Sequence, residues 1–204
     1  RAAIRRRWGV GGDEIVVGTV ARLFVNKGYE EMIEAMLDAI ARCPRLRFVW
    51  VGHGPHRERY EGRLDRLGLR DRVVFTGLLP PEEIPNVLNG FDLLVHASRW
   101  EGLPRAAVQA LLTEVPVVSF DNDGAPEVVV DGETGVLVPY GDVKGLAGGI
   151  VQLATDAVLR GRLGRNGRVA CLSAFDGSKM VAEIESFYET LNDRLPRSSQ
   201  ISNP

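Results

Sequence analysis

FDLLVHASRWEGLPRAAVQALLTEVPVVSFDNDGAP, residues 91–126, holds two apolar runs on either side of a helical stretch. It opens on a short apolar run, Phe91 to Ala97. A polar turn follows at Ser98 and Arg99, then a Glu-Gly-Leu-Pro step, an apolar stretch of helical spacing, and a second apolar run, Val115 to Phe120. The order is strand, loop, helix, strand, with the carboxylate of Glu101 placed where the helix begins. Pro104 suits the first helical position, where its missing N–H removes no bond. Such a helix start offers free backbone N–H groups and the positive end of a dipole. An acidic side chain among those donors suits a ligand that carries both phosphate and hydroxyl groups.

Outward from this unit the same alternation continues. Toward the N-terminus, Ile15 to Ala21 reads as a buried strand and Arg22 to Gly28 as a loop. Tyr29 to Ala41 carries apolar residues at Met32, Ile33, Met36, Leu37 and Ile40, which is helical spacing. Leu46 to Val51 is a strand, His56 to Leu67 a helix stopped by Gly68, and Val73 to Thr76 a strand. A short helix starts at Pro80-Pro81 and ends near Asn89-Gly90. Toward the C-terminus, Asp121 to Gly124 is a turn, Ala125 to Val130 a short helix, and Gly132 to Pro139 a turn with a last strand. Asp142 to Ala154, Ala157 to Leu172 and Gly177 to Leu191 read as helices. The strands are continuous apolar runs, which argues for a parallel sheet covered on both faces: a doubly wound, Rossmann-like α/β fold. Ligands of such sheets bind beyond the carboxyl ends of the strands. Polar or glycine-rich loops follow the strands at 22–28, 52–55, 77–79, 98–104 and 121–126, and together they predict one site.

The chain has 204 residues, 45% hydrophobic and 25% charged, with a formal net charge of −2. That is an ordinary globular composition, and the charge gives no electrostatic reason to expect nucleic acid. Cys43 and Cys171 lack metal-type spacing and read as reduced thiols in a reducing compartment. No apolar run approaches the roughly 18 residues of a bilayer span. The chain opens on Arg1, in what reads as mid-helix, so it is expected to be a piece of a longer protein. Residues 1–12 are then a connector, 13–175 the main domain, 176–193 a C-terminal helix and 194–204 a disordered tail. The basic run Arg1 to Trp8 reads as a solvated helix end, or else as a contact to a preceding domain or an anionic membrane surface.

The chemistry-bearing residues cluster in the strand-end loops. Arg22 and Lys27 share one loop, with Gly28 opening the next helix; two cations beside a helix start suit a diphosphate. Neutralising a departing diphosphate is electrostatic stabilisation of the charge that develops as its bond breaks. Gly52-His53-Gly54-Pro55 has Gly-x-Gly after a strand but no third glycine, and no acidic residue ends the next strand, so a nicotinamide dinucleotide is not expected. Those glycines let the backbone approach a ligand or another loop, and His53 either touches a phosphate or ribose or is simply exposed. His96, within an apolar strand, reads as a satisfied histidine. Glu101 accepts hydrogen bonds from paired hydroxyls, as on a sugar. Gln109, a polar side chain in an apolar helical stretch, needs a partner: a ribose diol or a neighbouring backbone group. Gly124 brings N–H groups toward a phosphate or sugar, with Asp123 and Glu127 beside it. The histidines, 53, 56 and 96, have no ligand spacing, and no metal is expected.

Taken in order, Gly18-Thr19-Val20-Ala21-Arg22 with Lys27-Gly28, Val51-Gly52-His53-Gly54-Pro55, Val74-Phe75-Thr76-Gly77, Ser98-Arg99-Trp100-Glu101-Gly102-Leu103-Pro104, Pro116-Val117-Val118 and Gly124-Ala125-Pro126-Glu127 form a pattern. It resembles the C-terminal, donor-binding half of retaining GT-B glycosyltransferases, the glycosyl transferases group 1 family (glycosyltransferase family 4). The resemblance covers about residues 5–191.

The resemblance implies a sugar moved from a nucleoside diphosphate to an acceptor hydroxyl, with no cofactor. UDP is the foremost nucleotide, GDP and ADP the alternatives. By the same resemblance Arg22, Lys27 and Glu101 act on the donor, the cations at the diphosphate and Glu101 at the sugar hydroxyls. The remaining donor contacts would come from Gly18, Gly52, His53, Gly54, Ser98, Gly102 and Leu103, from Gly77, Leu78 and Leu79 at the base, and from Gln109 at the ribose. Gln109 stands where the family usually has a second glutamate, and Glu114 where it typically has a glycine. The implied partner is an N-terminal acceptor domain of the same chain, without which this half is inactive or nearly so. The implied location is cytoplasmic, at the inner membrane face if the full-length protein associates peripherally. Two other readings stay open: a nucleotide-sugar epimerase of the same fold, and a non-catalytic module that holds nucleotide sugars.

Overall fold

The computed structural model describes residues 1–194, with side chains described through Leu191. Six strands form one sheet: β1 (Ile15–Val20), β2 (Leu46–Val51), β3 (Val73–Gly77), β4 (Leu93–His96), β5 (Val117–Asp121) and β6 (Gly135–Pro139). Their spatial order is β3-β2-β1-β4-β5-β6 and every neighbouring pair is parallel. The helices are α1 (Ala2–Arg7), α2 (Tyr29–Arg42), α3 (Arg57–Arg66), α4 (Ile84–Leu88), α5 (Arg105–Leu112), α6 (Val143–Thr155), α7 (Ala157–Ala174) and α8 (Gly177–Arg194).

Successive strand residues feed opposite faces. Val16, Leu94 and Val117 pack into one cluster with Ile4, Val87, Ala107 and Cys171; Val17, Val95 and Val118 pack into the other with Tyr29, Tyr60 and Leu146. Both faces of each strand are therefore apolar, which is why the sequence shows runs and not alternation. The sheet order changes direction between β1 and β4. At such a switch point the connections leave to opposite sides and open a crevice at the carboxyl ends of the two strands.

Three expectations change. Residues 1–8 are not a solvated end. Ile4 and Trp8 are buried, and the Trp8 ring stacks on Phe91 at 5.6 Å. Arg1 and Arg5 pair with Asp92, whose carboxylate also accepts from the Val16 N–H at 2.7 Å. The buried Asp92 would be costly without those donors, so the clamp fixes α1 at the amino edge of the sheet. Residues 125–130 form consecutive turns and not a helix; the Val129 N–H reaches the Ala125 carbonyl and the ladder stops there. The third change is Gly18, described with the site. The expected tail at 194–204 lies outside the described residues, apart from Arg194 at the end of α8.

Candidate functional site

The loops at the carboxyl edge are tied to one another before any ligand is considered. Gly28, at φ +72°, starts α2 against the end of β4; a Cβ there would lie 1.9 Å from the Ala97 carbonyl oxygen, so only glycine permits this approach. The Arg99 N–H then donates to the Asn26 carbonyl at 2.8 Å, and the Arg99 guanidinium donates to Glu31 on α2 at 3.0 Å. The 98–104 loop is pinned on its other side by the 121–126 loop. Asn122 Nδ2 donates to the Arg99 carbonyl at 2.7 Å, the Asp123 carboxylate accepts from the Glu101 N–H at 3.1 Å, and the Gly124 N–H donates to the Glu101 carbonyl at 3.2 Å. Asp123 adopts a left-handed φ of 48° to do this.

This framework brings Lys27 and Glu101 together as an ion pair, with Ser98 Oγ donating to the same Glu101 oxygen at 3.1 Å. The pair stands between two cavities. One, of about 310 Å³, is lined by Val20, Ala21, Arg22, His96, Leu103 and Arg105 together with Lys27 and Glu101. The other, of about 620 Å³, is lined by Asn26, Trp100, Gly102, Asp123, Gly124 and Glu127 with the same pair. The first side is cationic. Arg22 is exposed, its guanidinium 4.7 Å above the Phe24 ring, and neither Arg22 nor Arg105 has a carboxylate partner among the described residues. The second side is acidic and carries the indole of Trp100, 61% exposed.

The electrostatics follow from this packing. Burial acts to raise the Glu101 carboxyl, but the Lys27 hydrogen bond and charge, with Ser98, outweigh it and hold the pKa below its usual value. Glu101 is therefore an ionised acceptor at neutral pH. His96 is pushed down to about 4, chiefly by burial, with Glu101 opposing and Lys27 assisting. It faces the cationic cavity as a neutral imidazole.

Other expected residues fall elsewhere. Gly18 is buried within β1, where a Cβ would lie 2.0 Å from the Phe91 ring. Its lack of a side chain makes room for packing, and the expectation of a ligand contact is corrected. Gly52 and Gly54 serve loop packing: added Cβ atoms would sit 2.1 Å from the Ala21 carbonyl oxygen and 2.5 Å from that of Leu23. The Gly52 N–H is taken by the Gly77 carbonyl at 2.9 Å, and the His53 carbonyl accepts from Leu23. The His53 side chain is exposed and lines neither cavity. Leu78 is exposed and Leu79 packs partly against the core; with Gly77 they line neither of the two cavities. Gln109 is exposed and needs no buried partner. It borders a separate hollow of about 160 Å³ with Pro81, Ile84 and Thr113. Arg105 went unrecognised in the sequence, although it stands at the first turn of α5, four residues past Glu101. Among the described residues no group of three or more His, Cys, Asp or Glu is arranged to hold a metal ion.

A parallel Rossmann-like α/β domain, with free guanidiniums and an ionised carboxylate at its switch-point crevice, is built to receive an anionic, hydroxyl-bearing ligand. The model of the glycosyl transferases group 1 family matches residues 1–170, and the chain belongs to that family. It is 34% identical over 166 residues to the alpha-D-kanosaminyltransferase of Streptomyces kanamyceticus, a match covering 81% of this chain and 43% of that protein. The curated relatives it matches are longer, and the chain spans about half of their length or less. Among solved structures, HepE of Anabaena in complex with UDP and glucose superposes with a TM-score of 0.83 at 28% identity, covering 92% of this chain and 51% of that one. The C-terminal domain of a glycosyl transferase group 1 family protein from Francisella tularensis superposes with a TM-score of 0.76 at 25% identity, covering 85% of this chain and 93% of that domain.

Proposed function

We propose that this chain is the donor-binding half of a retaining glycosyltransferase, taking a nucleoside-diphosphate sugar whose sugar passes to an acceptor hydroxyl. The observation that carries the reading is the Lys27–Glu101 pair between a cationic and an acidic cavity. The diphosphate lies on the cationic side, against Arg22, Lys27 and Arg105. Negative charge grows on it as the glycosidic bond breaks, and fixed cations stabilise that charge more than they stabilise the bound ground state. The sugar lies on the other side, its hydroxyls donating to the ionised Glu101. His96 is uncharged and lends the phosphate side no further cation. UDP is the first nucleotide to try, because the HepE neighbour was solved with it; GDP and ADP follow.

The acceptor is bound by an N-terminal half in the longer protein, and this half alone turns over little or no donor. The complete enzyme is cytoplasmic and associates peripherally with the inner membrane face. The test is a thermal-shift panel. The matching nucleoside diphosphate at millimolar concentration raises the melting temperature, as any ligand specific for the folded state must. Arg22→Ala or Lys27→Ala removes the rise while leaving the unliganded fold cooperative. No shift with UDP, GDP or ADP would overturn the reading.

A further inference from the structure

The helix α7 has apolar residues on two opposite faces. Leu163, Gly164, Gly167 and Cys171 are buried against the domain. On the solvent side, Val158, Arg162, Arg165, Val169 and Leu172 follow one another at steps of four, three, four and three residues, which places them in a single line. Val158 is 82% exposed, Val169 71% and Leu172 56%. A helix lying on a domain ordinarily shows a polar outer face; one that is apolar on both sides has a second partner. The line runs for about 21 Å at 1.5 Å per residue.

Charge identifies the partner. The 18 residues of α7 contain four arginines and no acidic residue. Arg160 and Arg168 are engaged: Arg160 donates to the Leu153 carbonyl at 2.6 Å, and Arg168 donates to that of Leu112 and approaches Glu114 at 3.9 Å. Arg162 and Arg165 have no ion-pair partner among the described residues and stand between the exposed valines. The nearest acids in sequence flank the helix, Asp156 at its N-cap and Asp176 beyond its end. We propose that the solvent face of α7 docks on an anionic lipid bilayer, the two arginines at the headgroups and Val158, Val169 and Leu172 at the edge of the acyl region. The long arginine stems let the guanidiniums reach the anionic headgroups while the apolar side chains of the same line sit deeper, so one surface meets both halves of the pattern. A second copy presenting the same face would set arginines against arginines. The proposal rests on α7 and is independent of the donor-site reading.

Co-sedimentation with vesicles tests it. The chain binds vesicles of phosphatidylcholine containing about one-third phosphatidylglycerol and not vesicles of phosphatidylcholine alone, and added salt weakens the binding. The double variant Arg162→Glu/Arg165→Glu, with an unchanged melting temperature, binds about tenfold more weakly or worse, since each arginine at such a surface contributes roughly fivefold. Val169→Ser/Leu172→Ser weakens binding but keeps its salt dependence. Equal binding by the arginine variant and the parent would overturn the proposal. So would a failure to bind anionic vesicles. If that failure comes with self-association lost in the arginine variant, the acidic-flanked α8 of a second copy is the occupant. If it comes with capture of polyglutamate, an acidic protein is.

Discussion

At the scale of single residues, the site depends on which groups are charged. His96 is held neutral by burial, its pKa about 4 against an ordinary 6.5. Between those values the unfolded chain takes up a proton that the folded chain refuses, so the fold loses stability as pH falls from 6.5 toward 4. By about pH 5 the loss from this one residue is about 2 kcal/mol, at roughly 1.4 kcal/mol per unit. Chemical denaturation across pH 5 to 7 measures it. His96→Asn flattens that part of the profile whatever it does to the plateau, and an unchanged slope in the variant would refute the assignment. Glu101 acts in the same direction, at lower pH. Its depressed pKa contributes stability that is fully present above the ordinary carboxylate value and is lost as pH falls from there through the folded value. The two titrations therefore separate, with the imidazole in the mildly acid range and the carboxylate below it. The cationic and carboxylate residues of the site were legible in the sequence because glycine, proline and charge at a strand end carry local meaning. Arg105 was not, because a charged residue in the first turn of a helix looks like any solvated residue until the opposite loop is in place. Gln109 faces out from α5 while its neighbours Ala107, Val108, Ala110 and Leu111 face inward, so a polar side chain in an apolar stretch did not reveal its own exposure.

At the scale of elements, Glu114 ends α5 in the left-handed conformation, φ 61°, with the Val115 N–H closing on the Ala110 carbonyl at 2.9 Å. This is the position where glycine normally terminates a helix, and a side chain there costs about 1 kcal/mol. Gly164 of α7 packs directly on the Glu114 carbonyl, which holds the strained residue in place. Glu114→Gly should stabilise the domain by about 0.5–1 kcal/mol, read from the denaturant midpoint, since the exposed contact to Arg168 contributes little. A variant less stable than the parent would show that the residue is not strained. The same elements mark where sequence reading stops. Long periodic helices and continuous strands were legible nearly to the residue, because burial on one or both faces writes itself into the spacing. Residues 125–130 were not: Ala125, Val128 and Val129 are buried at helical intervals, but tertiary packing alone asks for them, and the backbone there makes only turns. The docking of residues 1–8 was also hidden, because a run of arginines reads as solvated until Asp92 stands opposite.

At the scale of the whole molecule, the parallel sheet is a device for collecting loops. Its order reverses between β1 and β4, and the loops that follow these two strands carry Arg22, Lys27 and Glu101 into one crevice although up to 79 positions separate them in the chain. The doubly wound fold and its carboxyl-edge site were legible from strand–helix alternation alone. The helix α8 was legible as an element but its surroundings were not: Met180, Ile184, Phe187 and Leu191 all lie open to solvent. In the proposed complex one diphosphate bridges Arg22, Lys27 and Arg105 while its sugar reaches Glu101. A crystal structure of the chain with UDP-glucose, or with the GDP or ADP sugar that the thermal screen selects, tests this most directly. The expected result is both phosphates within hydrogen-bonding distance of those cations and sugar hydroxyls on the Glu101 carboxylate. A donor seated anywhere else, with the Lys27–Glu101 pair untouched, would contradict it.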